Sequence, residues 1–246
     1  MLFNMKQSSW CLVSLIVFFF SLENSWSEKT STSTTVGEPQ ISENSIGMKL
    51  VTIPAGTFEM GTSAPRIDGW DEEPAHKVTI SHPFRISETE VTVQQFQKFR
   101  PGFKGSVRVE PYITGVSWYE AQAFCKWLSE KEGRTYRLPT EAEWVHAARA
   151  KGKQPKKDYN CRVTQGSKLI KGQSLISIKT GRSNGWGLHN YIGNVQEVVQ
   201  TPAGLKAQGG AYLDSFSKCR ISLKKPVNAK GDKATGFRIV LDLGRG

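Results

Sequence analysis

The feature that most constrains how this chain can fold recurs three times between residues 92 and 143: a hydroxyl residue followed three positions later by Glu or Gln. Thr92-Val93-Gln94-Gln95, Ser117-Trp118-Tyr119-Glu120 and Thr140-Glu141-Ala142-Glu143 each supply side chains able to satisfy the orphan backbone donors at a helix start. After the second start, Ala121, Phe124, Cys125 and Leu128 recur at helical spacing and Gly133 ends the run. Cys125 is thereby placed on the buried face, as a small core residue rather than a reactive thiol.

Before these helices the pattern is that of strands. "KLVTIPAGTFEMGT" (Lys49 to Thr62) has β-branched and aromatic runs on either side of Pro54-Ala55-Gly56, which predicts two short strands around a turn. "HKVTISHPFRIS" predicts a further strand. Beyond Ala150, "KGKQPKK" reads as a basic loop, and short strand-like runs then alternate with Gly, Asn and Ser up to Gly246. That half must still be compact, because Trp186, Tyr191, Tyr212, Phe216 and Phe237 need burial. With no internal repeat, solenoids and propellers are excluded. The expected class is α+β, a single compact domain rich in irregular structure.

The N-terminus reads as an export signal. Lys6 precedes the apolar run from Trp10 to Leu22, and Ser25-Trp26-Ser27 offers small residues for cleavage. A membrane span is the rival, but the run is short of the roughly 20 residues a spanning helix needs. The expected organisation is a signal at 1–27, a Ser/Thr-rich tether at 28–44, which cannot bury enough apolar surface to order itself, and a domain at 45–246. The protein is expected outside the cytoplasm, periplasmic or extracellular, with membrane contact only if the signal is uncleaved. Outside the cytoplasm, thiols that meet become disulfides. Cys11 leaves with the signal, and Cys125, Cys161 and Cys219 are an odd number, so at least one is unpaired. Cys219, in "GGAYLDSFSKC", has three open readings: a reactive or metal-binding thiol, half of a disulfide, or an inert residue in a packed loop.

Charge is unevenly distributed. Residues 28–150 carry 14 Lys/Arg against 16 Asp/Glu, a net of −2, whereas residues 151–246 carry 18 against 5, a net of +13. For an exported protein this favours an acidic protein or an anionic glycan as partner, and no nucleic acid is expected. His76 and His82 share one strand face and read as surface or turn residues; His146 reads as a satisfied, partly buried histidine. Asp71, Glu72 and Glu73, in "DGWDEEPAH", read as a solvated turn without catalytic role.

Four stretches, in order, resemble the formylglycine-generating enzyme or sulfatase-modifying factor family. They are "GMKLVTIPAGTFEMGT", "YRLPTEAEWVHAAR", "NGWGLHNYIGNVQEVV", and "GGAYLDSFSKC" with "TGFRIV". "DEEPAHKVTI" and "ISETEVT" fill the positions between the first two. The resemblance implies a variant of the C-type-lectin-like fold. In the family's active enzymes two cysteines five residues apart, just after Gly-Gly, bind Cu(I) and oxidise a substrate cysteine to formylglycine with O₂. Here Cys219 matches the second cysteine, but Asp214 stands at the first. A carboxylate is a hard oxygen donor, poorly suited to Cu(I), so the catalytic pair is degenerate, no catalytic residue is assigned and copper is not expected. The four histidines are too dispersed for the facial triad of the family's non-haem iron relatives.

The resemblance also implies a structural Ca²⁺ held by the side chains of Asn190 and Glu197 and the carbonyls of Gly193 and Val195, a set of hard oxygen donors. Gln196 and Val198 replace the family's usual tryptophans beside that loop. With Asp214 opposite, Cys219 is free to pair, and Cys161 lies in a polar loop where a lone cysteine has little packing value. A Cys161–Cys219 disulfide is therefore expected. The function expected is that of an exported, catalytically degenerate domain acting as a binding or assembly module. A copper-dependent oxidase and a glycan-binding lectin-like module are the alternatives.

Overall fold

The structure, a computed structural model, describes residues 39–63, 73–105, 111–150, 159–172, 174–175 and 183–244. The expected signal, most of the expected tether, the basic loop at 151–157, and Asp71 and Glu72 lie outside these residues.

All three helices form where the capping boxes place them: α1 (Val93–Phe99), α2 (Trp118–Glu132) and α3 (Glu141–Arg149). At each start the hydroxyl accepts from the backbone of the third helical residue, and that residue's side chain accepts in return from the cap's N–H. Gly133 ends α2 in the left-handed conformation, φ 63°, which glycine adopts without a Cβ penalty. Ala121, Phe124, Cys125 and Leu128 form the buried face of α2.

The strands in chain order are β1 (Ile41–Glu43), β2 (Lys49–Ile53), β3 (Gly56–Met60), β4 (His76–Ile80), β5 (Phe84–Ser87), β6 (Tyr136–Arg137), β7 (Val163–Gln165), β8 (Lys168–Lys171), β9 (Gln196–Thr201), β10 (Gly204–Gln208), β11 (Lys224–Pro226), β12 (Thr235–Gly236) and β13 (Val240–Asp242). A five-stranded antiparallel sheet runs β1-β2-β5-β13-β6, and a four-stranded sheet runs β11-β10-β9-β12. β13, near the end of the chain, lies between β5 and β6 with Val240 opposite Ile86, so both ends of the domain share one sheet.

Two details differ from the sequence reading. β1 falls inside the stretch expected as tether: Ile41 pairs with Val51, so the sheet starts before residue 45. β2 and β3 form on either side of the turn, as expected, and each pairs elsewhere, β3 with β4 and β2 with β5. "HKVTISHPFRIS" forms two strands, because Pro83 has no N–H for a ladder and divides β4 from β5. His76 and His82 are both exposed, as expected.

The core has two large parts. One gathers Phe96, Phe124, Leu128, Phe237 and Ile239 beneath α1 and α2; the other gathers Val51, Ile86, Trp144, Ile192 and Val240 beside α3. His146 belongs to the second, donating from Nε2 to the Pro54 carbonyl at 3.0 Å and packing against Phe58 and Trp186. Burial holds its pKa below the ordinary histidine value.

Candidate functional site

The segment from Gly209 to Cys219 leaves β10 through two glycines with positive φ. Gly210 must be small, because a Cβ there would lie 2.8 Å from the Lys218 carbonyl oxygen and 3.0 Å from Cys219 Cα. The chain then turns tightly at Asp214, whose Oδ2 accepts from the Ala211 N–H at 2.8 Å while its own N–H donates to the Ala211 carbonyl at 2.9 Å. Lys225 Nζ stands 3.5 Å from the same carboxylate. Asp214 therefore closes a turn with its side chain.

Cys219 is joined to Cys161 by a disulfide across 58 residues, with Cα atoms 6.5 Å apart. Both are buried within the core beside α3, and among the described residues Cys125 is the free cysteine, also buried. Burial also pushes the Cys125 thiol well above its ordinary pKa, which keeps it protonated. Of the two positions that the sequence reading matched to a copper-binding pair, Asp214 is a carboxylate engaged with backbone and Cys219 a sulfur already bonded.

The disulfide clasps a neighbouring loop. Residues 190–197 pass between the two bonded segments: Gly193 N–H donates to the Gly209 carbonyl, Asn194 N–H to the Asn160 carbonyl, and Tyr212 N–H to the Asn194 carbonyl. Asn190, Gly193 and Asn194 all have positive φ, a conformation that Asn and Gly tolerate best. Asn190 donates from Nδ2 to the Tyr112 hydroxyl at 2.7 Å, and Asn194 donates from Nδ2 to Glu90 Oε1 at 2.8 Å.

Beneath this loop lies a charge cluster assembled from distant parts of the chain. Arg238 is fully buried; its Nε donates to Glu197 Oε2 at 2.7 Å, and Glu90 Oε2 is 3.8 Å from its Nη2. Trp144 Nε1 also donates to Glu197 Oε2, at 2.7 Å. The remaining guanidinium donors hold the carbonyls of Ser87, Glu88 and His189. Burial pushes the Glu90 carboxyl up to about 8, against the pull of Arg238, and raises Glu197 as well. Burial works against the charge on Arg238, but Glu197 and Glu90 more than offset it and hold the guanidinium firmly protonated.

The residues expected to hold calcium thus share one loop, and the structure offers a test of fit. Glu197 accepts both of its hydrogen bonds at Oε2, from Trp144 and Arg238, leaving Oε1 buried and without a hydrogen-bond partner among the described residues. A buried carboxylate oxygen with spare capacity, on the same loop as the Asn190 amide and the Gly193 and Val195 carbonyls, is the kind of hard donor Ca²⁺ takes, so the residue types fit that ion. Among the described residues no three His, Cys, Asp or Glu side chains cluster as a metal site, so such an ion would depend on the loop's carbonyl and amide oxygens. Gln196 is buried and donates from Nε2 to Thr235 Oγ1, while its Oε1 lacks a partner among the described residues. Val198 packs under α1 and α2.

Sequence reading did not single out Glu90, Arg238 or His189. Glu90 carried one local signal, an acid immediately before the apolar Val91 at the mouth of a capped helix. Arg238 stands in "TGFRIV", where its apolar neighbours signal a buried position for a charge that must be paired. Glu73, read as solvated, is half engaged: Lys224 Nζ bonds to it at 2.6 Å and to Glu141 at 2.8 Å.

Comparison with known proteins places these features. The sequence model of the sulfatase-modifying factor enzyme 1-like domain matches residues 36–243. The chain is 27% identical to mouse formylglycine-generating enzyme over 218 residues, covering 61% of this chain and 57% of that protein. It therefore spans little more than half the length of that relative. It is 28% identical to the mouse protein named inactive C-alpha-formylglycine-generating enzyme 2, covering 68% of this chain and 75% of that one. Among solved structures, PvdO from Pseudomonas aeruginosa superposes with a TM-score of 0.69 at 22% identity, over 84% of this chain and 100% of that one, a likeness of fold.

Proposed function

The chain belongs to the sulfatase-modifying factor enzyme 1-like domain family, and within it we propose that this member lacks formylglycine-generating activity and serves as an exported binding module for an acidic partner. One observation carries the reading: Asp214 and Cys219, the positions of the copper-binding pair, are engaged in a turn and in a disulfide. Cu(I) requires two soft thiolates with room between them for a third, and neither position supplies one. Relatives named as active and as inactive enzymes both match this chain, so membership alone leaves the activity open.

Two further features support the binding reading. The surface beside the former pair combines exposed Leu213 and Phe216, the latter expected to be buried, with exposed Arg162, whose backbone bonds the Asp214 carbonyl. The net +13 of residues 151–246 favours an acidic protein or anionic glycan through long-range attraction and salt-sensitive contacts. Export is supported by the disulfide, which persists in oxidising compartments. Asn190, Gly193, Val195 and Glu197 would hold a structural Ca²⁺, whose charge would satisfy the spare Glu197 oxygen and pin the loop.

The test is direct. Purified protein, loaded with Cu(I) under reducing conditions, is assayed for bound metal and for O₂ uptake with a cysteine-containing peptide. No stoichiometric copper and no uptake are expected; one tightly held copper with peptide-dependent O₂ consumption would return the protein to the oxidases. Calcium is read separately: it should raise the thermal midpoint of the wild-type chain and leave Glu197→Gln unmoved.

A further inference from the structure

Away from the former pair, and next to the start of the loop 190–197, four segments line an open cleft of about 350 Å³ whose residues include Gly47, Lys49, Glu88, Thr89, Gln95 and His189. Its volume lies at the small end of ligand sites, which run from roughly 300 to 1,000 Å³.

The walls are fixed by backbone bonds. Glu88 N–H donates to the Lys49 carbonyl at 2.8 Å and His189 N–H to the Glu88 carbonyl at 2.9 Å. Buried Arg238 grips the carbonyls of Ser87, Glu88 and His189 from behind. A cavity whose backbone is held by a buried guanidinium is pre-organised, which lowers the ordering cost of binding.

Its side chains, in contrast, have spare capacity. The Glu88 carboxylate is 20% exposed, and its nearest ionic partner among the described residues, His189 Nε2, is 3.7 Å away, beyond hydrogen-bond reach. His189 Nδ1 is buried without a hydrogen-bond partner among the described residues. Gln95 commits its Oε1 to the Thr92 N–H, so the group it can offer is its amide NH₂. Lys49 is exposed and supplies a cation at the rim. The cavity thus presents an under-satisfied carboxylate together with two donors suited to an anion.

From this pairing the geometry points to a binding site for a small zwitterion of amino-acid size, its ammonium held by Glu88 and its carboxylate by Lys49 and Gln95. Charge-assisted bonds at both ends give orientation, and a molecule carrying one charge alone leaves half of the cavity's polar groups unpaired. The site is independent of the acidic-partner reading and uses none of its residues.

The experiment is a titration of the ¹⁵N-labelled full chain with each of the twenty proteinogenic amino acids in turn, followed by amide resonances. At least one should give saturable shifts at Thr89 and His189 at millimolar concentration. Its N-acetyl derivative and its amide should each bind about tenfold more weakly, as loss of one charge-assisted bond predicts. Glu88→Gln should weaken binding by a similar factor, and so should Lys49→Met, an exposed change that leaves the fold intact. Absence of saturable shifts with every amino acid up to ~50 mM, a concentration that would reveal even millimolar affinity, overturns the proposal. Equal binding of the N-acetyl derivative, or undiminished binding by Glu88→Gln or Lys49→Met, overturns it as well.

Discussion

Cys161 Sγ lies 2.7 Å from where a Cβ on Gly193 would sit, so the disulfide and the loop 190–197 are packed with no room for a methyl group. Gly193 also has φ 72° and faces the Asn160 carbonyl oxygen, 2.7 Å from the same position. Gly193→Ala combines an unfavourable backbone conformation with two close contacts, one of them to backbone that cannot rotate aside. We expect a loss of at least about 2 kcal/mol, read from the midpoint of urea unfolding. A change within about 0.5 kcal/mol, the range of ordinary surface substitutions, would show that the segments can part at little cost.

The disulfide itself closes a long loop, and its removal by Cys161→Ser should cost about 2–4 kcal/mol. Cys219→Ser should cost a similar amount, and the double variant little more than either single one, because one bond is lost in all three. A double variant whose loss equals the sum of the singles would mean that each sulfur is worth its own packing and that the bond contributes nothing. Free-thiol titration of the unfolded, unreduced chain from residue 28 onward should find one thiol, Cys125.

Much of this fold could be read locally. The three capping boxes are satisfied within four residues, so Thr92, Ser117 and Thr140 announced their helices without help from tertiary structure. The cysteine pairing was accessible because an odd count, a lost partner at residue 214 and a cysteine in a polar loop left few options. Strand partners were less accessible: nothing near Val240 indicates that it will lie opposite Ile86, and β2 and β3 look like a hairpin until β4 and β5 compete for them. The charge cluster is the extreme case. Arg238 meets carbonyls about 150 positions earlier in the chain, and no sequence period encodes that distance. The cavity beside Glu88 and His189 depends on the same convergence, so its residues looked unrelated.

Arg238 offers a test of how that cluster is balanced. Replacing it with Met leaves the Glu197 carboxylate buried without its close counter-charge and removes the pull on the already raised Glu90, and should cost about 3–5 kcal/mol. Adding Glu90→Gln and Glu197→Gln removes the uncompensated charge and should recover a large part of the loss. Guanidinium denaturation of the three proteins decides it: a triple variant less stable than Arg238→Met alone would mean that shape and hydrogen bonding, rather than charge balance, set the cluster's contribution.

The buried imidazole of His146 sets a pH dependence whose sign follows from its surroundings. Phe58, Trp186 and the Pro54 carbonyl surround it, and burial lowers its folded-state pKa below 6.5. Above that value both folded and unfolded chains carry a neutral imidazole and the full stability is present. As the pH falls through it, the unfolded chain takes up a proton that the native site resists, so stability declines. Glu143, whose carboxyl is held below its ordinary value by Arg137 and Thr140 despite its burial, also contributes stability lost on acidification, but only as the pH falls through 4.5 and below. Glu143 titrates below the interval from about pH 7.5 to about pH 5.5, but Glu90, raised to about 8 by burial, is protonated there in the folded chain alone and stabilises it on acidification, so the histidine is isolated as the difference between wild type and His146→Gln over that interval. On acidification across that interval wild type should fare worse than His146→Gln, losing more or gaining less, while His146→Gln should be less stable overall. An equally steep profile in the variant would assign the titration to another group.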